Sequence, residues 1–239
     1  MLSIIVPAHN EEAALPATLD ALTRAAASHG EEYEIVVVDD DSTDRTAAVA
    51  LQHGARVHPV KLRQISAVRN AGAQAAQGEY LVFVDADTIV PETTLAEALA
   101  ALKGGAVGGG APVKFDARTP LWATPAVWIL SLGWFRVIRW AAGCFVFARR
   151  DTFNEIGGFD ENYFFGEEMY ISIALKRHGR FTIVRTPVIT SARKFRSYGL
   201  LQSVMSLARL LRKGPRATRE HAPWWYEARR EPPPQNPQR

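Results

Sequence analysis

The sequence is poor in the features that mark secreted and membrane-spanning proteins. Its 239 residues include one cysteine, Cys144, so no disulfide can form within the chain, which fits a reducing compartment. Met1 leads directly into an apolar run without a basic n-region or a small-residue cleavage site, so we expect no signal peptide. The longest apolar stretch, residues 121–147, is interrupted by proline, glycine and arginine, whereas a membrane span needs about 20 apolar residues in a row. We therefore expect no transmembrane helix and a cytoplasmic location.

Charge is unevenly distributed along the chain, although the net charge is only +3. Of the 28 basic and 25 acidic residues, 11 and 3 lie in residues 190–239, which leaves 17 and 22 for residues 1–189. The basic region suits an anionic partner such as a membrane surface, and a solvated helix with a loose tail is the alternative interpretation. We expect no nucleic-acid partner.

The first half of the chain alternates short apolar strands with helices. Runs rich in Val and Ile predict the strands, and apolar residues at helical spacing predict the helices. Ser42 or Thr43 can cap the second helix, and Gly78 offers a left-handed cap to the third. This order predicts a Rossmann-like α/β fold, with a mainly parallel sheet and helices on both faces. The predicted strands are residues 2–7, 33–40, 55–60 and 80–87, and the predicted helices are 11–27, a segment ending near 52, and 65–77.

The second half is less regular. The helix predicted at 200–213 and the aromatic segment 224–230 combine apolar and cationic residues, which suits either a membrane interface or packing on the rest of the protein. The proline-rich end of the chain should be disordered. The other predicted elements are a turn and short strand at 104–110, an aromatic helix at 122–140, a strand at 144–148, a helix within 164–179 and a strand at 183–189.

Polar clusters follow three of the predicted strands, at residues 7–11, 39–41 and 85–87. Parallel strands joined by right-handed crossovers bring their carboxyl ends to one sheet edge, where ligands bind, so we expect one common site. Asp39 and Asp40 could accept hydrogen bonds from a base or from ribose hydroxyls, or could cap the following helix. His9 and Asn10 could line a base pocket, although a surface loop is an alternative place for His9. Arg69 could reach a phosphate or be solvated.

Two pairs of carboxylates are candidates for chemistry. Asp85 and Asp87 point the same way along an extended chain, so they need a positive group between them or exposure to water. Such a pair suits Mg2+ or Mn2+ shared with a substrate diphosphate. Glu167 and Glu168 begin a later helix, where they either favour the helix dipole or supply a general base for a hydroxyl nucleophile.

Four segments, in this order, resemble the family 2 glycosyltransferases. The resemblance covers about residues 2–190 and implies a GT-A fold. It also implies an inverting enzyme that transfers a sugar from a UDP- or GDP-linked donor to an acceptor hydroxyl, with Mn2+ or Mg2+ as cofactor. The segments are VPAHNEE, IVVVDDDSTDRT, RNAGAQAAQGEYLVFVDADT and GCFVFARRDTFNEIGGFDENYFFGEEMYISIALKRHG.

The resemblance also implies a division of the chain. Residues 1–110 would form a nucleotide-sugar-binding half and 111–190 an acceptor half of a single GT-A domain. A basic amphipathic helical extension at 191–230 and a disordered tail at 231–239 would follow. The acceptor itself is not identified by the sequence. If the basic C-terminal region docks peripherally on the anionic inner face of a membrane, the acceptor would be lipid-linked, and the alternative is a soluble acceptor.

Roles for individual residues follow from the residues and the resemblance together. Glu168 stands at the family's usual aspartate position and is the expected base, with Glu167 as the alternative. Asp87 and Asp85 are the expected metal ligands. The expected nucleotide-sugar-binding residues are Pro7, Ala8, His9, Glu11, Asp39, Asp40, Arg69, Asp85, Ala86 and Asp87.

The chain departs from the family pattern after residue 190. No histidine stands where some relatives supply a metal ligand; Arg193, Lys194 and Arg196 lie there and could bind the donor's phosphates, which would weaken reliance on the metal. Two other functions remain open at this point. One is a non-catalytic nucleotide-sugar-binding or membrane-accessory domain. The other is a sugar nucleotidyltransferase, although no glycine-rich, arginine-containing phosphate loop follows the first strand.

Overall fold

The computed structural model describes residues 1–116, 140–164 and 166–193. The strands are β1 Leu2–Ala8, β2 Tyr33–Asp40, β3 Arg56–Val60, β4 Tyr80–Val84, β5 Thr88–Ile89, β6 Gly108–Gly110, β7 Val113–Phe115, β8 Phe145–Arg149, β9 Phe181–Ile183 and β10 Val188–Thr190. The helices are α1 Leu15–Ala27, α2 Thr46–Gln52, α3 Ile65–Ala75, α4 Glu92–Lys103, α5 Arg150–Glu155 and α6 Glu167–His178.

Seven of these strands form one sheet in the order β3-β2-β1-β4-β8-β6-β9. Strands β3, β2, β1 and β4 run parallel to one another, as the alternation of strands and helices predicts. Strand β8 runs antiparallel to both of its neighbours, β4 and β6, while β6 and β9 are again parallel. The prediction of a mainly parallel sheet is therefore confirmed. The reversed direction of β8 was not predicted, because an apolar run fits a buried strand of either direction.

Helices cover both faces of this sheet, which confirms the predicted layers. Ile4 and Val6 of β1 face a core shared with α1, α2 and α4. Ile5, between them, faces the opposite core, to which α3, α5 and α6 contribute. Because both faces are buried, β1 is apolar at nearly every position instead of alternating with polar residues.

Several predicted boundaries and caps are wrong. Helix α3 ends at Ala75 and the next residue is extended, so Gly78 is not a left-handed cap. Gly78 instead allows close packing, since a Cβ atom there would lie 2.6 Å from Ser3 Oγ. At the start of α2, the carboxylate of Asp44 accepts the N–H of Thr46, while Ser42 and Thr43 bind Asn10. The strand predicted around Pro187 is two strands, β9 and β10.

A small second sheet brings the segment after β10 against the end of β4. Its order is β5-β10-β7, and β10 runs antiparallel to β5. The Thr88 hydroxyl donates to Thr190 Oγ1 at 3.0 Å across this pair. Since β5 begins directly after Asp87, this pairing places Arg193 beside the D-x-D segment.

Several expectations concern residues outside the described ranges. They include nearly all of the aromatic helix at 122–140, the amphipathic helix at 200–213, the aromatic segment 224–230 and the tail. Within the described part of the chain, no helix has the length and apolar character needed to span a membrane.

Candidate active site

Arg69 joins four parts of the site. It lies in α3, and its side chain is 2% exposed. One terminal nitrogen donates to Glu167 Oε1 at 2.8 Å, and the other donates to Asp85 Oδ1 at 2.9 Å and to the Gly143 carbonyl at 2.7 Å. Its guanidinium carbon also lies 5.2 Å from the centre of the Phe159 ring. This arginine therefore fixes the end of β4, the start of α6 and the segment just before β8 relative to one another.

The surrounding carboxylates keep Arg69 charged in this buried place. Burial opposes its charge, but the negative charges of Asp85 and Glu167 outweigh burial and raise the pKa of the guanidinium above its usual value. Glu167 is as buried as Arg69, and its Oε2 is a buried atom without a hydrogen-bond partner among the described residues. The Arg69–Glu167 pair thus depends on a single close contact.

Glu168 differs from its neighbour Glu167 in exposure and in having no ion pair among the described residues. The residue is partly exposed, at the first turn of α6. Burial of its carboxyl group and the adjacent charge of Glu167 raise its pKa from 4.5 to about 8, against the opposing charge of Arg69. Gly143 leaves room beside it, because a Cβ atom there would be 3.7 Å from the Glu168 carboxyl carbon. A carboxyl group with a pKa near neutrality can exchange protons with a substrate.

A second arginine binds the other half of the D-x-D segment. Arg193 makes a two-point ion pair with Glu11, with both N–O distances at 2.9 Å, and also donates to Asp87 Oδ2 at 3.0 Å. The other oxygen of Asp87, Oδ1, lies 3.5 Å from the Thr190 hydroxyl. The sequence predicted that the two aspartates need a positive group or water. The structure provides one guanidinium group for each of them.

The remaining polar residues of the β1 and β2 ends form a third cluster. The carboxylate of Asp40 accepts the backbone N–H groups of Leu62 and Arg63, so it holds the turn after β3. His9 Nδ1 lies 2.7 Å from the Asp40 carbonyl oxygen and 2.7 Å from the Arg63 guanidinium group. Asp39 makes fewer contacts: among the described residues its Oδ1 accepts only the Ser42 N–H, at 3.3 Å, and the residue is partly exposed. Asp39 is thus the better placed of the two aspartates to contact a ligand.

Three predicted residues contribute main chain to the site. Pro7 and Ala8 are buried at the end of β1, where Ala8 pairs with Asp39 of β2. Ala86 is buried between the two aspartates, and its carbonyl accepts the Thr18 hydroxyl at 2.9 Å. These contacts fix the main chain of the loops that follow β1 and β4.

The structure brings the predicted residues to one edge of the sheet, together with residues that were not predicted. Arg63, Gly143 and Thr190 were missed. Arg63 has a positive φ of 55°, which no sequence signal indicated. The sequence offers Arg193 as a phosphate-binding residue but gives no signal of its pairing with Glu11.

The D-x-D carboxylates do not fit a divalent metal ion in this arrangement. Asp85 is bonded to Arg69, and Asp87 to Arg193 and Thr190. Within residues 1–116, 140–164 and 166–193, no group of three or more His, Cys, Asp or Glu side chains could hold a metal ion. The Mn2+ or Mg2+ expected from the sequence stays a prediction.

Known proteins with similar sequences are glycosyltransferases. The dolichyl-phosphate beta-glucosyltransferase of Drosophila melanogaster is 36% identical over 99 residues, covering 36% of this chain and 30% of that protein. The undecaprenyl-phosphate 4-deoxy-4-formamido-L-arabinose transferase of Aeromonas hydrophila is 33% identical over 95 residues, covering 36% of this chain and 29% of that protein. The match therefore spans less than a third of each relative's length.

Solved structures share the fold over most of the chain. S. aureus TarS 1-349 in complex with UDP has a TM-score of 0.63 at 19% identity, covering 92% of this chain and 68% of that one. The mannosyltransferase PcManGT from Pyrobaculum calidifontis, in complex with GDP-Man and Mn2+, has a TM-score of 0.60 at 20% identity, covering 87% and 64%. These likenesses show a common fold. Residues 3–164, more than half of the chain, match the family model described as glycosyl transferase family 2, and the chain therefore belongs to that family.

Proposed function

We propose that the protein transfers a sugar from a nucleotide-diphosphate sugar to an acceptor hydroxyl, with inversion, and that Glu168 is the general base. The family assignment supports a sugar-transfer reaction. The observation that carries the role of Glu168 is its place beside the Arg69–Asp85–Glu167 cluster, with a pKa raised to about 8. A base with a pKa near the working pH contributes about 10²–10⁴-fold to the rate.

The two glutamates would have different tasks. Glu167 lies in the interior, with Oε1 bonded to Arg69 and Oε2 buried, so neither oxygen is presented to an acceptor. Glu168 has no such ion pair in the described residues and is partly exposed, so it can meet the acceptor oxygen. When the hydroxyl attacks the anomeric carbon, Glu168 would take its proton. Glu167 and Arg69 would be positioning residues, because their charges set the electrostatic potential at the Glu168 carboxyl group.

The donor would lie across the ends of β1, β2 and β4. Pro7, Ala8 and His9 would border the nucleoside, and the partly exposed Asp39 would accept a hydrogen bond from the base. Asp85 and Ala86 would lie along the ribose and sugar. UDP and GDP-Man are present in the solved TarS and PcManGT structures, so a UDP- or GDP-linked donor is the first choice here.

The chemistry of Glu168 favours a hydroxyl over a phosphate as the acceptor group. A phosphate oxygen is already ionised near neutral pH and needs no base, whereas a hydroxyl does. The relatives named as dolichyl-phosphate and undecaprenyl-phosphate transferases supply the second candidate, a lipid-phosphate acceptor. The two differ in whether the Glu168 carboxylate is needed.

The test is the rate of nucleotide release from UDP- and GDP-sugars by wild type, Glu168→Gln, and the control Glu155→Gln, an exposed glutamate of α5. We expect Glu168→Gln to reduce the rate by at least about 10²-fold with nearly unchanged donor affinity, and Glu155→Gln to have no effect. An active Glu168→Gln variant with an inactive Glu167→Gln variant would transfer the role to Glu167. Unchanged rates in both variants would show that neither glutamate is the base and would favour the lipid-phosphate acceptor. Donor binding by wild type without any nucleotide release would indicate a non-catalytic protein.

A further inference from the structure

We propose that the guanidinium group of Arg193 is a built-in cation of the donor site, which lets a nucleoside diphosphate bind without a divalent metal ion. The inference rests on the proposed function, because it places a diphosphate at the edge of the sheet beside Asp87. It concerns Arg193, which lies where the resemblance places a histidine metal ligand in some relatives.

Glu11 holds Arg193 in place independently of Asp87. The two-point ion pair between them uses both carboxylate oxygens of Glu11, which is only 5% exposed. Glu11 is itself fixed by its main chain: its N–H donates to Thr46 Oγ1 at 2.8 Å, and its carbonyl accepts the N–H of Leu15 at the start of α1. The position of the guanidinium group is therefore set before any ligand arrives.

A metal ion at Asp87 would have to displace this arginine. Mg2+ binds a carboxylate oxygen at about 2.0–2.1 Å, so an ion on Asp87 Oδ2 would lie against the guanidinium group. That group is 3.0 Å from the same oxygen, and both are positive. Moving Arg193 away would break its two-point ion pair with the buried carboxylate of Glu11, which is unfavourable. The arrangement thus favours arginine over a metal ion at this position.

Arginine can do for a diphosphate what the metal would do. Its guanidinium group stays charged at all relevant pH values and suits phosphate oxygens in geometry and charge. When a diphosphate binds, Arg193 can keep its ion pair with Glu11 and exchange its bond to Asp87 Oδ2 for one to a phosphate oxygen. In the sequence, Lys194 and Arg196 follow immediately, so further positive charge is close along the chain.

Calorimetric titration of the full chain with UDP and with GDP tests this, each with excess EDTA or with MnCl2. The variants are Arg193→Gln, Arg193→Lys, which keeps the charge, and the control Arg185→Gln, an exposed arginine. Thermal melting of each variant shows whether it is folded. For wild type we expect Kd to differ by less than about threefold between EDTA and Mn2+, and for Arg193→Gln in EDTA we expect Kd to rise by at least about tenfold.

Further outcomes separate this inference from the proposed function. Arg193→Lys should recover part of the affinity, and Mn2+ should strengthen binding only in Arg193→Gln, where Asp87 has lost its arginine. Wild-type binding that requires Mn2+, or Arg193→Gln binding in EDTA as tightly as wild type, would overturn the inference and leave the proposed function standing. If wild type bound neither nucleotide in either condition, the proposed function would fail and this inference with it.

Discussion

Replacing Arg69 with methionine should destabilise the protein more than any surface substitution, because two carboxylates lose their cation. Arg69 and Glu167 are both nearly fully buried, so Glu167 would be left as an isolated interior charge. Breaking a buried ion pair by removing one partner costs about 3–5 kcal/mol. The Asp85 side chain is one-third exposed, and water can replace part of its lost interaction, so we add no free-energy cost for Asp85 to this value.

The change should be visible as a lower melting temperature. For a chain of this size, 1 kcal/mol shifts Tm by about 2–4 °C, so Arg69→Met should lower Tm by about 6–20 °C. The matched control is Arg149→Met, whose exposed pair with Asp151 should contribute less than about 1 kcal/mol. The double variant Arg69→Met with Glu167→Gln should recover part of the loss, since it removes the isolated charge. A Tm drop no larger than that of the control would refute the reasoning.

Two further predictions concern pH and membranes. Because the base must be deprotonated, kcat/KM should rise with pH and level off above about pH 8, and Glu168→Gln should lose this rise. The folded protein favours the neutral acid of Glu168, so the stability that this group contributes is fully present below about pH 4.5 and is lost as pH rises through about 8. The Tm of Glu168→Gln relative to wild type should therefore increase over that interval. A Tm difference that stays constant with pH would contradict the pKa assignment. Co-sedimentation with anionic liposomes should weaken with salt and disappear on truncation after Ser191 if the basic C-terminal region docks on membranes; no binding at low salt would contradict docking.

Local patterns were sufficient to predict the elements that carry the site. Strands β1, β2 and β4 are short apolar runs buried on both faces, and their polar ends are adjacent in sequence to the runs themselves. The right-handed crossover rule then places those ends together without any knowledge of contacts. For this reason the D-x-D segment and the Asp39 loop could be assigned to one edge of the sheet from the sequence.

The partners of the carboxylates could not be predicted in the same way. Glu11 and Arg193 are 182 positions apart, and Arg69 and Glu167 are 98 apart, so neither pair leaves a periodic signal. The sequence leaves solvation of Arg69 open, because the burial of its side chain depends on α6 packing beside α3 in the same layer. The prediction of the α2 cap was wrong for a different reason. Asp44, Ser42 and Thr43 are all residue types that can cap a helix, and the path of the loop decides which of them accepts a helix N–H.

The most direct test of the account is calorimetric titration of nucleotide-diphosphate sugars into wild type and Asp39→Ala. Asp39 is a partly exposed residue at the end of β2, and among the described residues its removal should disturb only the bond to the Ser42 N–H. The control is Asp20→Ala, an exposed residue of α1 that pairs with His53. We predict that a UDP- or GDP-sugar binds wild type and the control equally, and that Asp39→Ala weakens it by at least about tenfold, the value of a lost charge-assisted hydrogen bond. Absence of binding by wild type, or equal binding by Asp39→Ala, would contradict a nucleotide-sugar site at this edge of the sheet.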